Sequence, residues 1–284
     1  MSRSSERVFL KLGGSLITDK TRQQTPRLEV IHRLAGEIRR ALDAQIGLQL
    51  LLGHGSGSYG HFVGRRYRTR EGIIGEESWR GYAETGLAAA RLSRLVVDAL
   101  AEAGVPVLAV QPSASALCRD GELEALEMRP IVTALENGLV PLVHGDVALD
   151  AVRGCTIVST EEIFAFLAQR LRPQRIVLVG EVDGVYDRDP LQEPAARHIA
   201  EISPANYAQV QRWLGGSHGV DVTGGMLAKI QAMVALTRQI PGLKVQLVTG
   251  REAGRVYHSL LDAGAGPGTI IQWLPAEGNA PGSG

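Results

Sequence analysis

Gly53-His54-Gly55-Ser56-Gly57-Ser58-Tyr59-Gly60-His61 carries four glycines and two histidines directly after an apolar run, 48–52. Glycine leaves the backbone free to take φ > 0 and lets its N–H groups approach an anion closely. The loop is therefore a candidate phosphate cradle, with one histidine touching the bound group. Lys11 stands at the end of the first apolar stretch, 8–12, immediately before Gly13-Gly14-Ser15. A lysine inside a strand buried on both faces is costly unless an anion pairs with it. Lys20 follows in the next connection, and Lys229 lies early in the helix after Gly224-Gly225. A compact ammonium suits a transferring phosphoryl group. Three lysines, a histidine and glycine N–H groups thus outline phosphoryl transfer, and no Ser/His/Asp arrangement for nucleophilic catalysis is evident.

Gly55-Ser-Gly-Ser-Tyr-Gly60 also matches G-x-G-x-x-G, which binds dinucleotides only when a helix follows at once. Residues 62–81 read instead as a basic, glycine-broken cover over the loop, with Arg65, Arg66, Arg68, Arg70, Gly72 and Gly75. Glu76 and Glu77 lie at a distance suited to a ribose contact, but no strand precedes them, so a dehydrogenase is a minor alternative. No G-x-x-x-x-G-K-[ST] occurs.

The elements that must hold these groups alternate. Apolar runs at 8–12, 48–52, 105–110, 139–143, 175–179 and 244–248 read as strands. Leu28, Ile31, Leu34, Ala35, Ile38 and Leu42 recur at helical spacing behind Thr25-Pro26, read as a cap and first helical residue. Leu87, Leu92, Leu95, Val96, Ala99 and Leu100 mark the buried side of a second helix, and Ser159-Thr-Glu-Glu162 starts another. Met226, Ile230, Met233 and Thr237 mark one more. Residues 147–149 and 155–158 flank a turn as a hairpin. Strand, glycine loop and helix recur at Gly13, Gly53, Gly145 and Gly180. The expectation is an α/β fold, a mainly parallel open sheet with helices on both faces, in three layers. Ligands in such sheets sit at the carboxyl ends of the strands. The reading is one domain over 1–272, with an N-terminal lobe to about 172, a second lobe from 173, and a Pro/Gly/Ser-rich flexible tail, 273–284.

Lys+Arg and Asp+Glu number 30 each, giving a formal net charge of zero. Binding to nucleic acid or to a membrane surface through a general basic field is therefore not expected. Cys118 and Cys155 form neither a disulfide framework nor a zinc pattern, and no metal-ligating cluster stands out. The N-terminus lacks the apolar core of a signal peptide, so the expected location is the cytoplasm.

Lys11-Leu-Gly-Gly-Ser-Leu-Ile-Thr-Asp-Lys20, the 53–61 loop, His144-Gly-Asp146, Val182-Asp-Gly-Val-Tyr186 and Asp221-Val-Thr-Gly-Gly-Met226 with Lys229 stand in one order. That set resembles the amino acid kinase family over roughly residues 7–272. Ile-Thr-Asp-Lys20 and Gly-Ser-Tyr-Gly-His61 point within it to the phosphate-accepting branch, most closely to the members that take isopentenyl phosphate. The resemblance implies ATP as phosphoryl donor, Mg²⁺ with it, a small-molecule phosphate acceptor and a homodimer. It implies that Lys11, Gly13, Gly14 and Ser15 contact the ATP phosphates and that Lys20 stabilises the transition state. Gly55 and Ser56 would stand between the two phosphates, His61 would bond the acceptor's phosphate, Gly145 would lie against the acceptor and Asp146 would organise the centre. Asp183, Gly184 and Tyr186, with Gly225 and Lys229, would line the nucleotide side. Two positions depart from the family pattern: Glu161 stands where an aspartate is usual, and Gly180-Glu181 where Thr-Asp is common. Ile73, Ile74, Trp79, Tyr82 and Ala83 are candidates for an apolar wall. The open alternatives are a kinase of another phosphate or phosphonate, such as fosfomycin, and a nucleotide-binding sensor or storage protein.

Overall fold

The computed structural model describes residues 6–190, 192–216, 225–262, 264 and 266–273. In chain order the elements are β1 (Arg7–Leu12), α1 (Gly14–Ile17), α2 (Leu28–Ala44), β2 (Gln49–His54), α3 (Gly57–Tyr67), α4 (Ser78–Glu102), β3 (Val107–Ala109), β4 (Leu117–Arg119) and β5 (Glu122–Ala125). Then come α5 (Arg129–Glu136), β6 (Val140–His144), β7 (Asp146–Asp150), β8 (Gly154–Val158), α6 (Thr160–Leu171), β9 (Arg175–Gly180), β10 (Val185–Tyr186), β11 (His198–Ile199) and β12 (Glu201–Ile202). The last are α7 (Tyr207–Gly216), α8 (Gly225–Gln239), β13 (Lys244–Thr249), α9 (Arg255–Leu261) and β14 (Thr269–Gln272).

Eight strands form the main sheet in the order β12-β14-β13-β9-β1-β2-β6-β3. The pairs from β13 through β3 are all parallel, and β14 runs antiparallel to β13. Strand residues alternate between two cores, as the two-residue period requires. Phe9, Leu51, Val143, Ile176 and Val245 pack with Ile163, Phe164 and Leu167 of α6 and Ile230 and Met233 of α8. Val8, Leu10, Leu50, Leu52 and Val177 pack with Ile31, Leu34 and Ile38 of α2, Leu92 and Val96 of α4 and Leu260 of α9. The three-layer α/β sheet expected from the sequence is thus the fold.

Several local expectations need correction. Residues 62–81 are not a structureless cover. The glycine loop runs directly into α3, a short 3₁₀ turn spans Thr69–Glu71, and α4 begins at Ser78. The glycines that hid this helix permit close packing: a Cβ on Gly64 would lie 2.8 Å from Ile157 Cδ1, and one on Gly60 2.6 Å from Ser56 Oγ. Thr25-Pro26 does not start α2. Pro26 forms an antiparallel bridge with Thr18, Arg27 N–H donates to the Ile17 carbonyl at 2.8 Å, and the helix begins at Leu28. Leu87 faces solvent, the strand expected at 105–110 is only β3, and the loop at Gly145 leads into β7 rather than a helix. The segment 217–224, with Asp221 to Gly224, and the tail 274–284 lie outside the described residues.

Register gathers the chemistry. Lys11 pairs with Gly53 and Leu178, Leu12 with His54, His54 with His144, and Gly180 with Thr249. The carboxyl ends of five adjacent strands therefore present the glycine loops side by side. A smaller sheet, β5-β4-β7-β8, carries Asp146 at the head of its β7–β8 hairpin. Asp150 closes that hairpin by accepting from the N–H groups of Asp120, Gly121, Val152 and Arg153 at 2.7–3.1 Å. Asp150→Ala leaves these donors without their carboxylate and is expected to cost about 2 kcal/mol of stability. Urea denaturation measures it, and an unchanged midpoint would show the turn to be held by other means.

Candidate active site

The two glycine loops touch backbone to backbone. Gly13 N–H donates to the Val179 carbonyl at 2.8 Å and Gly55 N–H to the Leu12 carbonyl at 3.1 Å, so each loop is pinned to the neighbouring strand. A Cβ on Gly14 would stand 2.6 Å from Gly57 N, and Gly57 itself has φ +50°. No larger residue fits at Gly14 without prising the loops apart. Ser15 lies in α1 and Ser56 is the N-cap residue of α3, both half-buried.

Thr18 locks the pair together. Its buried hydroxyl donates to the Gly14 carbonyl at 2.7 Å and accepts from Ser58 N–H at 2.9 Å. The sequence places Thr18 within Ile-Thr-Asp-Lys20, directly after the apolar Leu16-Ile17, but assigns it no role. The same connection is tied to α3 by Gln24 N–H to the Ser58 carbonyl at 3.2 Å and Thr25 N–H to Ser58 Oγ at 3.2 Å. Lys20 stands exposed on that connection. His61 is half-buried one turn into α3, edge-on to Phe62 at 6.3 Å.

Charge collects on the other side of β1. Lys11 shares the face of Phe9, toward α6 and α8, and its buried ammonium pairs with Glu161 Oε1. Burial alone would raise the Glu161 carboxyl, but Lys11 and Lys229 hold it down at about 2. The structure thus brings together Lys11, Glu161 and Lys229, and a glutamate reaches the counter-ion position. A capping box fixes the first turn of α6: Ser159 Oγ accepts from Glu162 N–H, and the Glu162 carboxylate from Ser159 N–H. Thr160 Oγ1 donates to the His54 carbonyl at 2.7 Å, and Gly145 N–H donates to the same oxygen at 3.2 Å.

Sequence reasoning did not foresee the pairing of His54 with His144. Both rings are buried, stacked at 5.4 Å with 8° between planes. Burial pushes His54 down to about 3, with help from His144 and Lys11, and His144 to about 4, so both are neutral near pH 7. Asp146, buried beside them, has Oδ2 3.6 Å from His144 Nε2 and accepts from Ser113 N–H at 3.0 Å and Val147 N–H at 2.8 Å. Burial raises its pKa, and these hydrogen bonds oppose the rise. Tyr82 faces Asp146, whose charge adds to burial in raising the phenol. Ile73, Ile74 and Trp79 are exposed, and Trp79 stands edge-on to Tyr82 at 5.9 Å.

Past the end of β9, the Tyr186 hydroxyl donates to Asp183 Oδ1 at 2.6 Å, a bond that lifts the phenol to about 12. Gly184 has φ +147° and would bring a Cβ within 2.5 Å of His198 Nε2. This turn makes its contacts with β11 and β14. Gly225 begins α8, the helix that carries Lys229.

Thr18→Val removes both loop bonds and is expected to cost about 2 kcal/mol, whereas Thr18→Ser should keep most of the stability. Chemical denaturation of both variants checks this, and loss in Thr18→Ser with none in Thr18→Val would mean that the methyl group matters, not the hydroxyl.

Comparison with known proteins places this arrangement. The family model described as the amino acid kinase family matches residues 6–248. The isopentenyl phosphate kinase of Methanothermobacter thermautotrophicus is 34% identical over 262 residues, covering 89% of this chain and 95% of that one. That of Haloferax volcanii is 35% identical over 269 residues, covering 93% and 98%. A solved isopentenyl phosphate kinase structure superposes with a TM-score of 0.79 at 30% identity, covering 94% of this chain and 100% of that one. The chain belongs to the amino acid kinase family.

Proposed function

We propose that this protein transfers the γ-phosphoryl group of ATP to the phosphate of isopentenyl phosphate, giving isopentenyl diphosphate and ADP. The observation that carries the reading is the joining of the two glycine loops beside the Lys11–Glu161–Lys229 cluster. An oxygen of the acceptor phosphate forms the new P–O bond while the bond from the γ-phosphorus to the ADP oxygen breaks. A phosphate monoester is already largely ionised near pH 7, so no general base is needed, and the work is positioning and charge neutralisation. The similarity to isopentenyl phosphate kinases along most of the chain supports the choice of acceptor.

In this reading Lys11, Gly13, Gly14 and Ser15 hold the donor phosphates. Backbone N–H groups of Gly55 and Ser56 lie between donor and acceptor, and His61, one turn into α3, binds the acceptor phosphate. Lys20 completes the charge at the transition state from a connection pinned to Ser58. Gly145 borders the acceptor, and Asp146, held by two backbone N–H groups, sets the local geometry from below. Asp183, Gly184, Tyr186, Gly225 and Lys229 belong to the nucleotide side, the lobe from about 173, and the acceptor belongs to the lobe up to about 172. Glu161 keeps the two lysines apart from one another and oriented. Tyr82 and Trp79 offer apolar surface beside Asp146. The residues fit a triphosphate: a cradle that a Cβ would fill lies next to a buried ammonium. Among the described residues no three His, Cys, Asp or Glu side chains are grouped to hold a metal. Mg²⁺ accompanying ATP would take its oxygens mainly from phosphates and water, as this ion usually does, screening their charge. The family resemblance supports a homodimer.

The test is ADP release with Mg-ATP, offering isopentenyl phosphate, dimethylallyl phosphate, fosfomycin and acetylglutamate in parallel. Turnover with isopentenyl phosphate is expected, and Lys11→Ala or His61→Ala should each lower it by about 100-fold or more while the far-ultraviolet dichroism is kept. Turnover with fosfomycin alone would move the acceptor, and tight ATP binding without turnover of any acceptor would favour a sensor. A His61→Ala protein as active as wild type would remove His61 from the acceptor site.

A further inference from the structure

Helix α1 is a single turn of four residues, Gly14–Ile17, so each of its carbonyls needs a partner from outside the helix or from its cap. The Gly14 carbonyl accepts from Thr18 N–H at 3.0 Å and from Thr18 Oγ1. The other three are all served by one residue. Arg27 N–H donates to the Ile17 carbonyl at 2.8 Å, and Arg27 Nη1 reaches the Ser15 carbonyl at 3.0 Å and the Leu16 carbonyl at 3.4 Å. A cation at a helix carboxyl end is favourably placed.

The Arg27 guanidinium is itself held from across the fold. Nη1 also donates to Glu181 Oε1 at 3.0 Å, and the same oxygen accepts from Arg251 Nη2 at 2.8 Å. Glu181 lies just past the end of β9. Its own carbonyl accepts from Thr249 Oγ1 at 3.1 Å, and Gly250 N–H donates to the Gly180 carbonyl at 2.8 Å. Gly250 also lies against α1, since a Cβ there would fall 2.3 Å from Leu16 Cδ2. Burial would raise the Glu181 carboxyl, but Arg251 and Arg27 hold it below its ordinary value, so it is an anion between two cations. This is the position where the family pattern commonly has a shorter acid.

We infer that Arg27 and Glu181 are a positioning pair for the donor-phosphate loop Gly13–Ser15, fixing α1 to the ends of β9 and β13. Neither residue touches the reacting atoms. Arg27 acts through the carbonyls of α1, Glu181 acts through Arg27, and Arg251 braces Glu181. Because α1 follows directly on Gly13, a tilt of its carboxyl end moves the N–H groups of the loop away from the phosphates. The acceptor side, built on α3 and the β7–β8 hairpin, is reached from this brace through Thr18, whose bonds to Gly14 and Ser58 every variant keeps. The inference rests on the ATP-dependent reading above, and it predicts an effect confined to the nucleotide.

The experiment uses the full chain and four variants: Arg27→Met, Arg27→Lys, Glu181→Gln and the Arg27→Met/Glu181→Gln double. Calorimetry gives Kd for a non-hydrolysable ATP analogue with Mg²⁺, and steady-state kinetics gives KM for ATP and for isopentenyl phosphate. Arg27→Met is expected to raise Kd and the KM for ATP about tenfold, with the KM for isopentenyl phosphate changed less than about twofold. Glu181→Gln should raise both nucleotide constants about threefold, Arg27→Lys should recover part of the loss, and the double variant should be no worse than Arg27→Met. Unchanged nucleotide constants, an equal rise in both KM values, or full additivity in the double variant would overturn the inference. Wild-type protein that binds the analogue but leaves isopentenyl phosphate untouched would overturn the functional reading instead, and Kd across the variants would still decide the brace. Wild-type protein that binds no nucleotide would overturn both.

Discussion

A cation in the middle of a parallel sheet needs an anion, and the rest of the site follows from how this chain supplies one. Lys11 lies on β1 with strands on either side and helices above and below. Leaving its ammonium unpaired there would be strongly unfavourable, since removing one partner of a buried pair strands the other. Glu161 answers from the first turn of α6, where the helix amino end also favours a carboxylate. Lys229 from α8 adds to the field that keeps the Glu161 carboxylate ionised.

The second constraint is distance. Phosphoryl transfer gains from holding donor and acceptor phosphates in line with little motion left to arrange. Two strand-end loops that meet backbone to backbone suit the proposed transfer, because no side chain intervenes between Gly14 and Gly57. Thr18 couples the loops, and the carbonyl of His54 couples them to Gly145 and to the α6 cap that presents Glu161. The two glycine loops, Gly145 and the start of α6 are therefore linked through hydrogen bonds.

Much of this was legible in the sequence, and the remainder was hidden for identifiable reasons. Apolar runs ending in glycine marked five adjacent strands of the main sheet, because strands buried on both faces must be apolar throughout. The demand of Lys11 for a partner followed from burial alone, and the resemblance marked Glu161 as a carboxylate near the lysines, although their direct pairing came with the fold. Helix α3 was hidden because Gly60 and Gly64, which read as breaks, are packing contacts against Ser56 and Ile157. Thr18, Arg27 with Glu181, and the His54–His144 stack depend on partners far apart in the chain, and no local pattern reveals them. Glu161 departs from the aspartate usual in the family pattern, and its longer side chain reaches Lys11.

The ion cluster is the claim on which the whole account stands, and its most direct measure is the titration of the Glu161 carboxyl carbon by NMR. Wild type should be compared with Lys11→Met. In wild type the carboxylate should remain ionised at pH 4, with a midpoint far below its ordinary value, near 2. In Lys11→Met the loss of the adjacent ammonium, with burial now less opposed, should move the midpoint upward by about one unit or more. An ordinary midpoint near 4.5 in both proteins would contradict the account.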